Sequence, residues 1–270
     1  MRDNLKDKEY FESFINRSYL SHNKRVDKIK SNIIAKDRID TVKSDMSCNK
    51  LRESIAKFSM GYSLNKVLPD FYNSIDLAEE GWTGDGSWKL INDEGEFDQY
   101  SFTGFYHMLD MLSLGYLLDI SNDKFQLLID IIDRDGVKDK LFEFIISAKF
   151  PNRKPIESES YRKYFGIPDT FTKIREIIDE QDKQKAEKLM DDYLTKHWYK
   201  QHKETGLKDL HKSEHDIYYG YWSFEAAAVV KIMGLDDSSF INNQYYPKDL
   251  VHQPNETLPK KKGLLGRLGF

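Results

Sequence analysis

The run at residues 217–251, IYYGYWSFEAAAVVKIMGLDDSSFINNQYYPKDLV, constrains the fold more than any other part of this chain. Glu225, Ala226, Ala227 and Ala228 favour helix, and Val229, Val230, Ile232 and Met233 extend an apolar run. Apolar residues cover almost the whole circumference, as in a helix buried on most sides rather than lying on a surface. Gly234 supplies a helix stop, Asp236, Asp237, Ser238 and Ser239 a polar turn, and Pro247 disfavours helix at Tyr246. The segment predicts a central core helix, a tight turn and an aromatic strap closing over the core. Ala227 and Ala228 mark sites of close helix approach that resist enlargement. The rings of Tyr218, Tyr219, Tyr221, Trp222 and Phe224 read as core. Glu225 stands in apolar surroundings, where a carboxylate needs partners; a structural hydrogen bond to a tyrosine or a loop backbone is expected there, not catalysis.

The rest of the chain reads as helix. Phe11, Phe14, Ile15, Val26, Ile29, Ile33 and Ile34 recur at helical spacing over residues 8–44. Leu51, Ile55, Phe58 and Tyr62 predict a helix ending near Leu68, before Pro69, with a short helix after it. Further helices are expected over 99–118, 122–132, 138–148, 168–180 and 183–199. No segment shows sustained alternation of β-branched residues with Asn-Gly turns, so no sheet is expected. The expected fold class is all-α. Its units are an N-terminal helical domain at 1–125, a C-terminal helical domain at 126–253 built on the signature helix, and a flexible basic tail at 254–270.

Residues 76–98 break this regularity. Gly81, Gly84, Gly86 and Gly95 interrupt helix. Asp76, Glu79, Glu80, Asp85, Asp93, Glu94, Glu96 and Asp98 face a single base, Lys89. Trp82 and Trp88 lie within this acidic stretch. The whole chain carries a net charge of −4, which is not the balance of a nucleic-acid binder. Residues 1–57 hold fourteen bases against nine acids, read as a solvated helix face. A single cysteine, Cys48, excludes an intrachain disulfide and a cysteine-rich zinc site. The charged N-terminus lacks a signal-peptide apolar region, and no run approaches the ~18 apolar residues of a membrane span. A cytoplasmic location is the expectation.

Enzymatic motifs are sparse. His211, Lys212, Ser213, Glu214 and His215 fit the H-x-x-E-H spacing of inverzincin metallopeptidases, in which two helical histidines bind zinc and the glutamate acts as base. The flanking Gly206, Asp209 and Asp216 suggest a polar loop instead, and no metal or cofactor is expected. Restriction-like nucleases pair an acidic residue with a lysine two positions on, to hold magnesium and position water. No Asp or Glu here is followed two residues later by Lys. The tail from Lys260 to Phe270 is basic and then apolar, a pattern that touches anionic membranes in other settings; Gly263, Gly266 and Gly269 weaken any helix, so membrane contact is not expected.

The pattern YYGYWSFEAAAVVKIMGLDDSSF…YYPKDLV resembles the C-terminal signature of the PoNi proteins, immunity partners of polymorphic nuclease effector toxins. The opening RDNLKDKEYFESFI is similar to the N-terminal domain of that family, and Trp198 and Tyr199 keep the expected order ahead of the signature. Within that signature, Tyr219, Gly220, Trp222, Glu225, Ala227, Ala228, Gly234 and Pro247 are the structural positions. The resemblance implies a protein that binds and neutralises a cognate DNase toxin stoichiometrically, without turnover, in the producer's own cytoplasm. A nuclease groove is basic because it holds phosphates, and acids on an inhibitor complement it. The expected toxin contact is therefore the acidic stretch from Asp76 to Asp98, with Trp82 and Trp88 as anchors and the turn at Asp236 and Asp237 as second candidate. A zinc metallopeptidase using His211, Glu214 and His215, and a membrane-associated scaffold using the tail, are the alternatives.

Overall fold

A computed structural model describes residues 1–93, 95–161, 170–203 and 206–252. The tail at 254–270 lies outside the described residues. The first helix, α1 (Lys8–Lys30), starts where the Asp7 carboxylate accepts the backbone N–H of Tyr10 and ends on Lys28 and Lys30, cations suited to the negative end of a helix. It lies along α2 (Ile39–Ser59), which forms a tight antiparallel pair with α3 (Leu64–Gly81). The break expected before Pro69 does not occur; Pro69 sits inside α3. Its ring removes one donor in the second turn, but Pro69 and Asn65, whose carbonyl loses that donor, are both exposed, so water replaces the bond.

The next elements are a β-hairpin, β1 (Lys89–Asn92) and β2 (Gly95–Tyr100), then α4 (Phe102–Leu117), α5 (Asn122–Arg134) and α6 (Lys140–Lys149). The hairpin corrects the expectation of no sheet. It is antiparallel, with Leu90 opposite Phe97 and Asn92 opposite Gly95. Its strands are short and half-exposed, with acids on the outward positions, so no long alternation marks them. The later regular elements among the described residues are helical: α7 (Thr172–Asp179), α8 (Lys183–Asp192), a π-helical turn (Tyr193–His197), α9 (Trp198–Gln201), the signature helix α10 (Phe224–Met233) and α11 (Lys248–Val251).

As its composition demands, α10 is central. Residues 224–230 are all buried, and the helix packs on α4, α6 and α7. Gly234 closes it in the left-handed conformation, φ 62°. One hydrophobic cluster runs from Phe11 through α2, α4 and α6 to Leu250, so the N- and C-terminal halves share a core. The first residues seal it. The backbone N–H groups of Arg2 and Asp3 donate to Ser59 O at 2.9 and 3.0 Å. The Arg2 guanidinium bonds Asp249 at 2.7 Å and the carbonyls of Phe58 and Tyr62, and Tyr218 donates its hydroxyl to Asp3.

Candidate functional site

The hairpin and the end of α3 carry the acids of the 76–98 stretch, and the base of this region is packed against α2. Glycines allow its roots to touch α2: a Cβ on Gly81 would lie 2.5 Å from Ser44 N, and one on Gly86 would lie 2.7 Å from Asp40 C. Trp82 is fully buried, its ring centroid 6.0 Å from both Trp88 and Tyr100. Trp88 is half-buried and packs on the core, against a Gly104 whose Cβ would collide with it. Thr83 Oγ1 donates to Asp40 at 2.9 Å, Arg134 donates to Trp82 O at 2.6 Å, and the Tyr100 hydroxyl donates to Asp135 at 2.9 Å. The two tryptophans expected as surface anchors thus form the hairpin's seat. The large apolar residue that the hairpin exposes is Ile91, at 64 %.

The acids of this stretch divide into two groups. Asp76 pairs with Lys124, and Glu80 with Lys43 at 2.6 Å. Glu96 and Asp98 share Lys89 at 2.7 and 3.2 Å, yet both stay more than half exposed. Burial pulls the Lys89 ammonium down, but its bonds to Glu96 and Asp98 outweigh this and raise it. Glu79, Asp85 and Asp93 are exposed, and among the described residues no cation lies within ion-pair distance of them. Glu94 lies outside the described residues. Of the second candidates, Asp236 is an exposed turn residue whose carboxyl is lowered by accepting from Ser238. Asp237 is buried and accepts from the Tyr246 hydroxyl at 2.8 Å and pairs with His252, tying the strap to the core.

Of the signature residues, all but Gly234 are buried. Gly220 has φ 125° and passes so close to Ser59 that a Cβ would collide with its hydroxyl. Ser59 in turn donates to Tyr219 O and receives Trp222 Nε1, both at 2.8 Å. Ala227 and Ala228 are fully buried, and the strap returns through Tyr246 and Pro247. Glu225 is fully buried, and its Oε1 accepts from the Tyr193 hydroxyl, Trp198 Nε1 and Ser223 Oγ at 2.8, 2.8 and 2.9 Å. The π-helical turn brings Tyr193 and Trp198, five residues apart, onto the same carboxylate. Among the described residues the other oxygen, Oε2, has no partner, and neither does Oδ1 of Asp110, a buried carboxylate on α4. Burial, reinforced by the charge of Glu225, raises Asp110 well above the ordinary range, and burial raises Glu225 against the lowering effect of its hydrogen bonds. Reading the residues had missed Asp110. The signal was the one used for Glu225: a carboxylate within an apolar run, here HMLDMLSL.

Two arrangements look catalytic but do not support that chemistry. His211 lies on a short 3₁₀ turn, Leu210–Lys212, and Ser213 after it is extended, so His211 and His215 do not share a helix face. His211 Nδ1 instead meets the Tyr221 hydroxyl at 3.0 Å. Among the described residues no group of three His, Cys, Asp or Glu side chains is placed to hold a metal. Cys48 Sγ lies 3.6 Å from His107 Nδ1, a pair not foreseen from sequence. Burial pushes the thiol up to about 12 and the imidazole down to about 3, so both are neutral, and neither is open to a substrate.

No curated protein matches the chain. Its fold resembles the crystal structure of protein PA2201 from Pseudomonas aeruginosa, with a TM-score of 0.64 and 16 % identity over 93 % of this chain and 89 % of that one. The model for the N-terminal region of PoNe immunity proteins matches residues 2–130, and that for their C-terminal region matches residues 137–250. Both halves are matched in order, and the chain belongs to the PoNi family, the immunity proteins of PoNe toxins.

Proposed function

We propose that this immunity protein neutralises a cognate DNase toxin by one-to-one binding in the producer's cytoplasm, with the acidic hairpin and the end of α3 set against the toxin's basic groove. The observation that carries this reading is the set of exposed carboxylates of Glu79, Asp85 and Asp93, which have no cation within ion-pair distance among the described residues, on a firmly seated support. A nuclease groove must be positive to hold phosphates, and acids fixed in advance meet it without first ordering a loop. Complementary charge also speeds encounter. Ile91 at the hairpin tip supplies an apolar contact beside the charges. Glu96 and Asp98 extend the acidic face, with Lys89 between them as an internal brace. No cofactor or turnover enters this scheme.

Titration of the toxin's nuclease activity with the purified protein tests the reading. Activity should fall in proportion to added protein and vanish at one equivalent. Replacing Glu79, Asp85 and Asp93 together by Lys should slow association at low salt by about tenfold or more and remove most of its salt dependence, with the helical circular dichroism unchanged. Association within twofold of the parent protein at every salt concentration would move the contact off the hairpin. Complete inactivation by a small fraction of an equivalent would point to turnover.

A further inference from the structure

Three surface cavities differ in how far their cations are already engaged. The cavity beside α6, about 580 Å³, is lined by Arg153 and Lys149, with the exposed Lys154 at its edge. Arg153 is clamped by Glu143 and Asp133, and Lys149 holds Asp119. The cavity between the first residues and the strap, about 390 Å³, contains Arg2 and Lys248. Arg2 serves Asp249 and two carbonyls, and Lys248 is held by Asn242.

The third cavity, about 250 Å³, lies between α1, α2 and residues 216–217, and two of its three arginines, Arg25 and Arg52, are not neutralised by a carboxylate among the described residues. Arg25 makes one bond, to Ser21 Oγ at 3.1 Å. The Arg52 guanidinium stands 5.8 Å from the Tyr219 ring and bonds the Tyr219 side chain, and among the described residues its buried Nε has no partner. Among the described residues neither arginine has a carboxylate within ion-pair distance. At the rim Arg17 is occupied by Asp216, through its carbonyl at 2.7 Å and its carboxylate at 3.3 Å. Ser21, having accepted from Arg25, keeps its own proton to donate, and the Asn49 amide also faces the cavity.

A partly buried guanidinium without counter-charge is disfavoured, and its fork of donors matches oxyanions two bonds at a time. We propose that this cavity is a binding site for one oxyanion group, a phosphate or a carboxylate, held between Arg25 and Arg52 with Ser21 and Asn49 as neutral donors. Asp216 at the rim repels a second negative charge, so a single oxyanion is preferred over a polyanion. The site is independent of the hairpin and opposite to it in sign.

Thermal unfolding of the full chain at constant ionic strength, in chloride, inorganic phosphate, acetate or a short acidic peptide, tests the site. Phosphate or a carboxylate should raise Tm by about 2–5 °C over chloride, as binding to the folded state alone requires. A shift with phosphate alone identifies a phosphate-bearing ligand; a shift with acetate and the peptide alone identifies an acidic side chain as the occupant. Arg25→Gln, on a half-exposed helix position, should melt like the parent in chloride and lose most of the shift, and Arg52→Gln should behave alike. No shift with any of these anions, or an undiminished shift in Arg25→Gln, would overturn the proposal.

Discussion

The segment at residues 217–251 and the hairpin at residues 82–100 are both rich in rings and acids, and they orient them differently. Both bury their large rings: Trp222 and Tyr218 in one, Trp82 and Tyr100 in the other. In the first, the acids Glu225 and Asp237 turn inward and organise donors around them. In the second, Asp85, Asp93, Glu96 and Asp98 turn to water. A ring therefore says little about which face meets a partner; the direction of the charges says more. Every neighbour restricts the inward-facing residues, which is why the signature is so sharply patterned, whereas an outward acid needs only its sign.

Four sets of substitutions break or sharpen this contrast. The largest effect is expected at Trp82. Trp82→Ala removes a fully buried ring at a cost of about 3–5 kcal/mol, and should lower Tm by roughly 10 °C while loosening the hairpin, read as faster amide exchange in residues 89–100. A surface anchor would lose affinity without losing stability. Next, Ala227→Leu or Ala228→Leu overpacks the signature helix by about 1–3 kcal/mol and should lower Tm by several degrees, with toxin affinity per folded molecule unchanged. Two variants that melt like the parent would show that α10 is not the close-packed centre.

The third effect depends on pH. Glu225 and Asp110 bind protons more tightly folded than unfolded. Their contribution to stability is therefore greatest below the ordinary carboxylate range, about pH 4, and is lost as pH rises toward the folded values. Glu225→Gln removes one of the two titrations. Its Tm should decline less than the parent's between pH 4 and pH 9, measured by calorimetry, and parallel curves would refute the assignment. The smallest effect is expected at His211→Ala with His215→Ala: loss of the His211–Tyr221 bond costs about 1 kcal/mol or less, and protection against the toxin should be unchanged.

Much of the architecture was legible because buried helices leave strong periodic traces. The signature helix, its glycine stop and its buried glutamate were all readable from the apolar run around them, with Tyr193 as the expected kind of partner. Pro69 misled because the penalty for proline falls on a carbonyl that water reaches here. The hairpin escaped notice because strands of four and six residues with acids on the outside resemble a loop. The acidic surface was visible as composition. What composition could not tell was that its tryptophans face inward, since that depends on glycines at 81, 86 and 104 admitting them to the core.

The contacts of Arg2 and Asp3 also set a clock. Asp3 waits for Tyr218, 215 residues later, and Arg2 waits for Asp249, 247 residues later. At a synthesis rate of about 5–20 residues per second, Asp3 spends roughly 10–40 s outside the ribosome before its partner exists. The helices of the first half can form in that interval, but the first residues cannot be sealed onto the core until the strap has been made. The core is therefore closed at this end only once the strap has been translated.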